Sequence, residues 1–151
     1  MKPTQQVVIF AVDDQRLALP LSAVERVVQA VEITPLPKAP AVVWGIINVQ
    51  GQILPVFHLR RRFRWPEREL ALNDHILIAR TAQRRVALVV DAVAGVLECA
   101  AEDTVAPDAV VPGLEYVAGI MKQPDGMIFI HDLEKFLSLG EAQQLEAALA
   151  S

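Results

Sequence analysis

The chain has 151 residues, of which 53 % are hydrophobic and 21 % are charged, and its formal net charge is −4. This length suits one domain or two small subdomains packed together. The acidic balance argues against a nucleic-acid-binding protein, because such proteins normally carry a basic surface that neutralises phosphates. The high hydrophobic share predicts a substantial core, and any surplus can form apolar surface for a partner.

The sequence predicts a soluble cytosolic protein. Cys99 is the only cysteine, so neither an internal disulfide nor a Cys-x-x-Cys metal site can form, which agrees with a reducing compartment. The apolar segment near the N-terminus, VVIFAV, is too short for the core of a signal peptide. The longest apolar region, residues 86–97, is interrupted by Asp91 and is shorter than the roughly 20 residues that span a bilayer.

Short strands are predicted along most of the chain. VVIFAV (7–12) and HILIAR (75–80) are rich in β-branched residues, and a polar turn and a second strand follow each of them. Ser22 and Glu25 have the spacing of a capping box, and Asp91 is an acceptable N-cap at the matching place, so a helical turn is predicted after each hairpin. The last element is a predicted helix from about 133 to 150, with a break at Gly140.

The chain also contains an internal repeat. When residues 11–28 are aligned with residues 79–97 and Arg85 is treated as an insertion, eight pairs are identical. Downstream, VWGII (43–47) matches VAGIM (117–121), and a glycine turn and a return strand follow in both copies. Several short strands in each copy suit a small closed barrel, because closure removes free edges. We therefore predict an all-β fold of two packed barrels, with subdomains at about 7–63 and 75–136.

No combination of residues predicts catalysis, a metal or a cofactor. The three histidines lack metal-ligand spacing, and there is neither a phosphate-binding glycine loop nor a nucleophile elbow. We therefore expect a non-enzymatic protein without cofactor or metal. The bare tip Gln50-Gly51 is instead interpreted as a docking surface, since glycine at a hairpin tip lets another backbone come close. A glycine that serves the turn alone is the simpler alternative.

Two further functions stay open at this point. The basic segment RRRFRW, from Arg60 to Trp65, could bind single-stranded nucleic acid, although arginine stems that cover apolar surface are the simpler interpretation. An enzyme could assemble its site across the two barrels around His58 and His131, which fall near the ends of the matching return strands.

The segment from Gly45 to Arg60, GIINVQGQILPVFHLR, resembles the first signature of the bacterial chemotaxis coupling proteins, the CheW-like domain family. VALVVDAV (86–93) resembles the second signature, and the similarity extends from Val7 to about Leu139. The resemblance implies one CheW-like domain over residues 1–151, built from two five-stranded SH3-like barrels.

The same resemblance implies a non-catalytic adaptor between chemoreceptors and a CheA-type histidine kinase. Its partners would be the regulatory domain of the kinase, which has the same double-barrel fold, and the cytoplasmic tips of methyl-accepting receptors. The protein would lie in the cytoplasm beside membrane receptor arrays, held there by protein contacts and without inserting into the bilayer or binding nucleic acid.

The partner-binding residues that the resemblance implies lie in a groove between the barrels: Val24, Arg26, Asn48, Gln50, Gly51, Val89, Val90 and Asp91. Three positions depart from the family pattern. Gln50 replaces an arginine, Arg26 replaces an acidic residue, and His58 replaces an aspartate. Gln50 and Arg26 could together be a charge swap that changes the partner, neutral drift, or the mark of a paralogue in a non-motility pathway.

Overall fold

The computed structural model describes residues 4–100, 104–105, 116–124 and 126–150. These residues form mainly β-strands: β1 (Thr4–Val12), β2 (Gln15–Pro20), β3 (Val24–Gln29), β4 (Val43–Val49), β5 (Gln52–Phe57), β6 (His75–Arg80), β7 (Arg85–Val90), β8 (Ala92–Ala100), β9 (Thr104–Val105), β10 (Val117–Gln123) and β11 (Gly126–His131). The two α-helices are α1 (Leu59–Arg62) and α2 (Leu139–Ala150). The predicted all-β class is therefore confirmed.

The strands form two sheets, and each sheet takes strands from both halves of the sequence. The six-stranded sheet has the order β8-β1-β2-β11-β10-β9, and the five-stranded sheet has the order β3-β6-β7-β5-β4. The β1–β2 hairpin thus joins strands of the second half, while the β6–β7 hairpin joins strands of the first. The boundaries of the sequence repeat, 7–63 and 75–136, are consequently not the boundaries of the sheets.

This exchange of hairpins is reciprocal. If β1, β2, β3, β4 and β5 are matched with β6, β7, β8, β10 and β11, the two sheets have the same strand order, and β9 is added to the larger one. In both sheets the exchanged hairpin makes a parallel contact with the return strand, β2 with β11 and β7 with β5. The bridge between Thr34 and Ile46 corresponds to the pairing of β9 with β10.

The strand registers correct the alignment of the repeat. Ala18 pairs with Ile9 and Ala87 pairs with Ile78, so the two exchanged hairpins superpose without any insertion. Arg85 is therefore the structural equivalent of Arg16, and it is wrong to treat it as an inserted residue. The second hairpins superpose in the same way, so that Gly126 corresponds to Gln52 and not to Gly51.

The exchanged hairpins are buried on both faces, which explains their nearly continuous apolar sequences. Along β1, Val8, Phe10 and Val12 contribute to a central cluster that draws on strands of both sheets, while Val7 and Ile9 contribute to a cluster within the six-stranded sheet. The strands β2, β6 and β7 divide their side chains in the same alternating way. The central cluster therefore joins two sheets that each have an apolar cluster of their own.

The helical elements differ from the predictions in detail. Leu21–Ala23 is a short 3₁₀ turn without a side-chain cap, and Glu25 already belongs to β3, so the predicted capping box is wrong. The second predicted turn is also wrong, because β8 begins directly after Asp91. A capping box does form at α2, where Ser138 Oγ accepts from the Glu141 N–H (3.1 Å) and Glu141 Oε1 accepts from the Ser138 N–H (2.9 Å).

The C-terminal helix is shorter than predicted. Leu133–Lys135 forms a separate 3₁₀ turn, and α2 begins only at Leu139, so Gly140 lies in its first turn and does not break it. Leu145 of α2 packs into the central cluster. No helix in the described part of the chain is long and apolar enough to cross a membrane.

His131 is a polar residue inside the central core. Its ring is buried against Phe63 and Phe136, with centroids 5.3 and 5.9 Å away, and neither ring nitrogen has a hydrogen-bond partner among the described residues. Burial lowers the pKa of His131 to about 3, so the imidazole is neutral at pH 7. The structurally equivalent residue in the other return strand is Phe57.

Replacing His131 by phenylalanine is expected to stabilise the protein and to flatten its pH dependence. At pH 7 the change removes an unsatisfied buried donor, which should raise the free energy of unfolding by about 1–2 kcal/mol. As the pH falls below about 6.5, His131 becomes protonated in the unfolded chain but stays neutral in the folded protein. The free energy of unfolding of wild type therefore falls by up to about 1.4 kcal/mol per pH unit.

Urea denaturation of both proteins from pH 7.5 to pH 4 measures this difference. The carboxylates are common to both proteins, so their contribution cancels, and the gap between the two curves should widen as the pH falls. Parallel curves would show that His131 is not held neutral in the folded state.

Candidate partner-binding site

The β4–β5 hairpin ends in a tight two-residue turn. Gln50 and Gly51 have φ values of 51° and 86°, and a type I′ turn requires positive φ at both of its central residues. The side chain of Asn48 fixes the tip, because its Oδ1 accepts a hydrogen bond from the Gly51 N–H at 2.9 Å. A Cβ atom at Gly51 would meet nothing within 4 Å, so the backbone of the tip faces open space.

Val24 and Arg26 lie at the same end of the five-stranded sheet as this tip. They open β3, which runs in the same direction as β7 and β5, and Val24 pairs with Ala79 at the end of β6. Across the sheet, Arg85 at the start of β7 hydrogen-bonds the side chain of Gln52 at the start of β5. Val24 is half-buried against the central cluster, and Arg26 is exposed. Five of the predicted site residues therefore share one end of this sheet.

Val89, Val90 and Asp91 lie at the opposite end of β7. Val90 is five residues beyond Arg85, which corresponds to about 16 Å along a strand. Val90 is 0 % exposed and packs in the central cluster, so it cannot supply the apolar partner contact predicted for it. Val89 packs against the cluster of the five-stranded sheet. The structure therefore does not bring all eight predicted residues into a single patch.

Asp91 is held in a network of internal ion pairs. Its carboxylate accepts hydrogen bonds from the Asp13 N–H (2.7 Å), from Arg60 Nη2 (3.1 Å) and from Arg68 Nη2 (2.6 Å). Buried Arg60 also binds Asp13, and Arg68 binds the buried carboxylate of Asp74 (2.6 Å). Because Asp91 lies where the chain passes from β7 to β8, this network ties the junction of the two sheets to the β1–β2 turn.

Two guanidinium groups face three carboxylates in this network, and the pairing favours the ionised forms of Asp13 and Asp74. Hydrogen bonds from Arg60 lower the pKa of Asp13, and hydrogen bonds from Arg68 lower the pKa of Asp74, each below the usual range. The two carboxylates in turn raise the pKa of the two guanidinium groups. The turn at Asp13-Asp14 therefore also contributes a carboxylate, that of Asp13, to an ion pair with Arg60.

The basic segment is also used internally. Besides Arg60, Arg61 binds Glu67 (2.6 Å) and the Ala41 carbonyl (2.6 Å), and Arg62 binds both carboxylate oxygens of Glu141 (2.7 Å each). Arg62 also donates to the Tyr116 hydroxyl at 2.7 Å, while Trp65 stacks on Phe63. Three of the four arginines are therefore committed to intramolecular contacts, which removes the support for a free phosphate-binding patch.

The two histidines near the ends of the return strands, His58 and His131, are both buried. His58 Nδ1 accepts the Arg61 N–H (3.2 Å) and caps α1, and its ring stacks on Trp44 at 4.4 Å. Burial lowers the pKa of His58. His58 therefore performs the capping role that an aspartate can fill at this place. His131 is enclosed in the core, and the described residues contain no group of three or more potential metal ligands.

Sequence reasoning missed Glu25, Arg80 and Arg85, which lie at the tip end of the five-stranded sheet. Glu25 Oε1 accepts from Arg85 Nε (3.0 Å) and lies 3.9 Å from Arg80 Nη1. The signal was present in the alternation of β6 and β7, which puts Arg80 and Arg85 opposite each other at the end of the hairpin. Because Arg85 was treated as an insertion in the repeat, its position opposite Arg80 was not recognised.

The structure is a pair of linked β-sheets with an exposed hairpin tip, and comparisons with known proteins identify its family. The profile of the CheW-like domain matches residues 6–141. A chemotaxis protein CheW of Treponema pallidum (strain Nichols) is 29 % identical over 146 residues, which cover 93 % of this chain and 86 % of that protein. A chemotaxis protein CheW of Rhizobium meliloti (strain 1021) is 28 % identical over 146 residues, covering 95 % and 92 %.

The similarity extends to a solved structure. The crystal structure of scaffolding protein TtCheW from Thermoanaerobacter tengcongensis matches with a TM-score of 0.82 and 30 % identity, and the match covers 93 % of this chain and 96 % of that one. The chain therefore belongs to the CheW-like domain family, as the resemblance of residues 45–60 predicted.

The ion network predicts that Asp91 serves stability more than partner binding. Asp91→Asn should lower the free energy of unfolding by about 1–3 kcal/mol, because a carboxylate that receives three hydrogen bonds is replaced by an amide whose NH₂ cannot accept from them. The neighbouring exposed Asp14 offers a matched control, and Asp14→Asn should change stability by no more than about 0.5 kcal/mol.

Urea denaturation together with partner titration distinguishes the two roles. An Asp91→Asn protein of unchanged stability that no longer binds a partner would make Asp91 a contact residue, contrary to this expectation.

Proposed function

We propose that this chain is a non-catalytic adaptor that couples chemoreceptors to a CheA-type histidine kinase in a chemosensory array. The observation that carries the proposal is family membership over residues 6–141, together with a fold in which two related sheets share a central apolar cluster. Such an adaptor works in the cytoplasm and reaches the membrane only through its protein partners.

The pseudo-symmetry of the sheets suits a protein with two docking ends. Ile53 and Met127 occupy equivalent positions at the start of the two return strands, and they are 51 % and 54 % exposed. An exposed apolar side chain beside a hairpin tip is a suitable anchor for a modest, transient signalling interface. Each sheet therefore offers one such anchor, and the regulatory domain of the kinase is the partner proposed for this type of contact.

The receptor-binding surface is proposed at the tip of the five-stranded sheet. Val24 supplies apolar contact, Asn48 holds the turn, Gly51 permits close approach of the partner, and Gln50 and Arg26 supply polar specificity. Val89 and Asp91 lie at the other end of the sheet, so they are not part of this surface. Val90 is removed from the proposed surface because it is buried.

A second candidate is a CheW-like paralogue that serves a pathway other than motility. Gln50 and Arg26 favour it, since the first lacks the charge of the family arginine and the second reverses the sign of an acidic residue. Replacing Gln50 by arginine and Arg26 by glutamate together, followed by titration with receptors of a motility array, tests this candidate. Improved binding would support it.

The geometry of Gly51 provides the main test of the proposed function. Gly51→Val puts a β-branched residue at a φ of 86°, which should strain or rearrange the tip, whereas Gly51→Asn adds a residue that tolerates this conformation. The Cβ of either residue meets no atom within 4 Å. We expect Gly51→Val to weaken binding of a receptor cytoplasmic fragment at least tenfold, with a loss of stability of about 1–3 kcal/mol from backbone strain.

Isothermal titration with the receptor fragment and with the kinase regulatory domain measures the effect. Gly51→Asn should bind within a few-fold of wild type, because it keeps the turn conformation. This control shows whether binding depends on the turn conformation or on the absence of a side chain at position 51. If Gly51→Val still binds both proteins with wild-type affinity, the tip is not the docking site.

A further inference from the structure

Three arginines gather at the open end of the five-stranded sheet, beside the Gln50-Gly51 tip. Ile78 of β6 and Ala87 of β7 point into the apolar cluster of this sheet. Arg80 and Arg85 each lie two residues closer to the end of the same strand. Because side chains alternate along a strand, these arginines lie on the same face as the cluster, at its margin. Arg26 pairs with Ile78 in the register of β3 and β6 and therefore shares that face. We call Arg26, Arg80 and Arg85 the cationic rim.

The cationic rim is only partly neutralised within the protein. Glu25 receives the Arg85 guanidinium at 3.0 Å and lies 3.9 Å from that of Arg80, so one carboxylate serves two arginines. Arg26 is exposed, and no carboxylate among the described residues forms an ion pair with it. The side chains of Arg80 and Arg85 are 65 % and 38 % exposed. Two positive charges thus remain uncompensated in a chain whose net charge is −4.

The fold itself does not require this charge. At the equivalent end of the six-stranded sheet, small residues occupy the corresponding positions. The strand registers match Ala11 with Arg80, Gly95 with Arg26 and Gly126 with Gln52. Only Arg85 has a counterpart of the same type, since the Arg16 guanidinium lies beside Gly126, 3.2 Å from where a Cβ would be. The two ends therefore differ, because the end of the five-stranded sheet carries three arginines and the equivalent positions of the other sheet carry only Arg16.

Stability does not explain the cationic rim either. Exposed ion pairs of the kind that Glu25 forms add little to folding, and unpaired like charges close together oppose it. Guanidinium groups on a rigid sheet are instead suited to carboxylates, which they bind in a bidentate fork. The neighbouring tip carries Gln50, a residue without charge, so any attraction of an acidic partner must come from the strands beside it.

We propose that the cationic rim binds an acidic segment of a partner protein, and that Arg26, Arg80 and Arg85 supply the positive charge that Gln50 does not. This inference rests on the proposed adaptor function and specifies the chemistry of one of its two ends. The charge asymmetry gives the adaptor orientation, because an acidic surface is attracted to the five-stranded sheet and not to the equivalent end of the other.

The test compares the double variant Arg26→Glu/Arg80→Glu with Lys122→Glu. Lys122 is exposed and occupies, at the tip of the six-stranded sheet, the position of Asn48. Each protein is titrated with the receptor fragment, with the kinase regulatory domain and with a fluorescent oligo-glutamate peptide, at 50 and 300 mM salt. Arg26→Gln/Arg80→Gln serves as a milder variant, and denaturation checks that all variants are folded.

We expect wild type to bind the peptide and one of the two proteins in a salt-sensitive manner, and the double Glu variant to bind each of them at least tenfold more weakly. The Gln variant should fall between them. Because Lys122 lies opposite Met127, Lys122→Glu is the control for peptide binding, which it should leave unchanged. If the double Glu variant binds both proteins as wild type does, the cationic rim is not a docking site, although the adaptor function stands. If wild type binds neither protein but still binds the peptide, the adaptor function fails and the acidic recognition stands.

Two other results would overturn the inference. Wild type that binds neither the proteins nor the peptide lacks acidic recognition altogether. Tighter binding of a single-stranded oligonucleotide than of the oligo-glutamate peptide, abolished by the same two substitutions, would mean that the cationic rim recognises phosphates and not carboxylates.

Discussion

The whole structure depends on four strands that are buried on both faces. Side chains of β1, β2, β6 and β7 alternate between the apolar cluster of their own sheet and the central cluster between the sheets. Because each hairpin is inserted between strands of the other sequence half, neither sheet can form without the complete chain. The exchange thus joins the two sheets through the central cluster that both of them line.

Polar interactions reinforce this arrangement at the junction of the two sheets. Asp91 binds both Arg60 and Arg68 where the chain crosses between the sheets, and Arg62 binds Glu141 at the first turn of α2. Intramolecular contacts thus engage most of the arginines in the basic segment, residues 60–65. The uncompensated charge lies instead at the tip end of the five-stranded sheet, around Arg26. Internal charges therefore stabilise the junction, while external charges distinguish the two ends of a pseudo-symmetric molecule.

The sequence allowed the strands, the repeat and the family to be predicted, because alternation, turn residues and the segment 45–60 are local signals. It did not predict the strand exchange, since a repeat gives the order of elements and not their partners. Arg85 was misplaced because identical Gln-Arg pairs favoured an alignment that the hairpin registers contradict. Val90 and Asp91 were assigned to a partner-binding site because a family resemblance indicates which positions correspond and does not indicate which side chains are buried. Similarly, the capping box was predicted at Ser22 but forms at Ser138, where the chain actually enters a helix.

The most direct measurement is the folding of the two sequence halves as separate chains, cut after the exposed Leu72. Fragments 1–72 and 73–151 each lack the hairpin that would complete their sheet, so each alone should show no cooperative unfolding by circular dichroism. An equimolar mixture should recover the spectrum and the cooperative transition of the intact protein. If fragment 1–72 alone unfolds cooperatively as a stable monomer, the two halves are independent domains and the reciprocal exchange does not hold the molecule together.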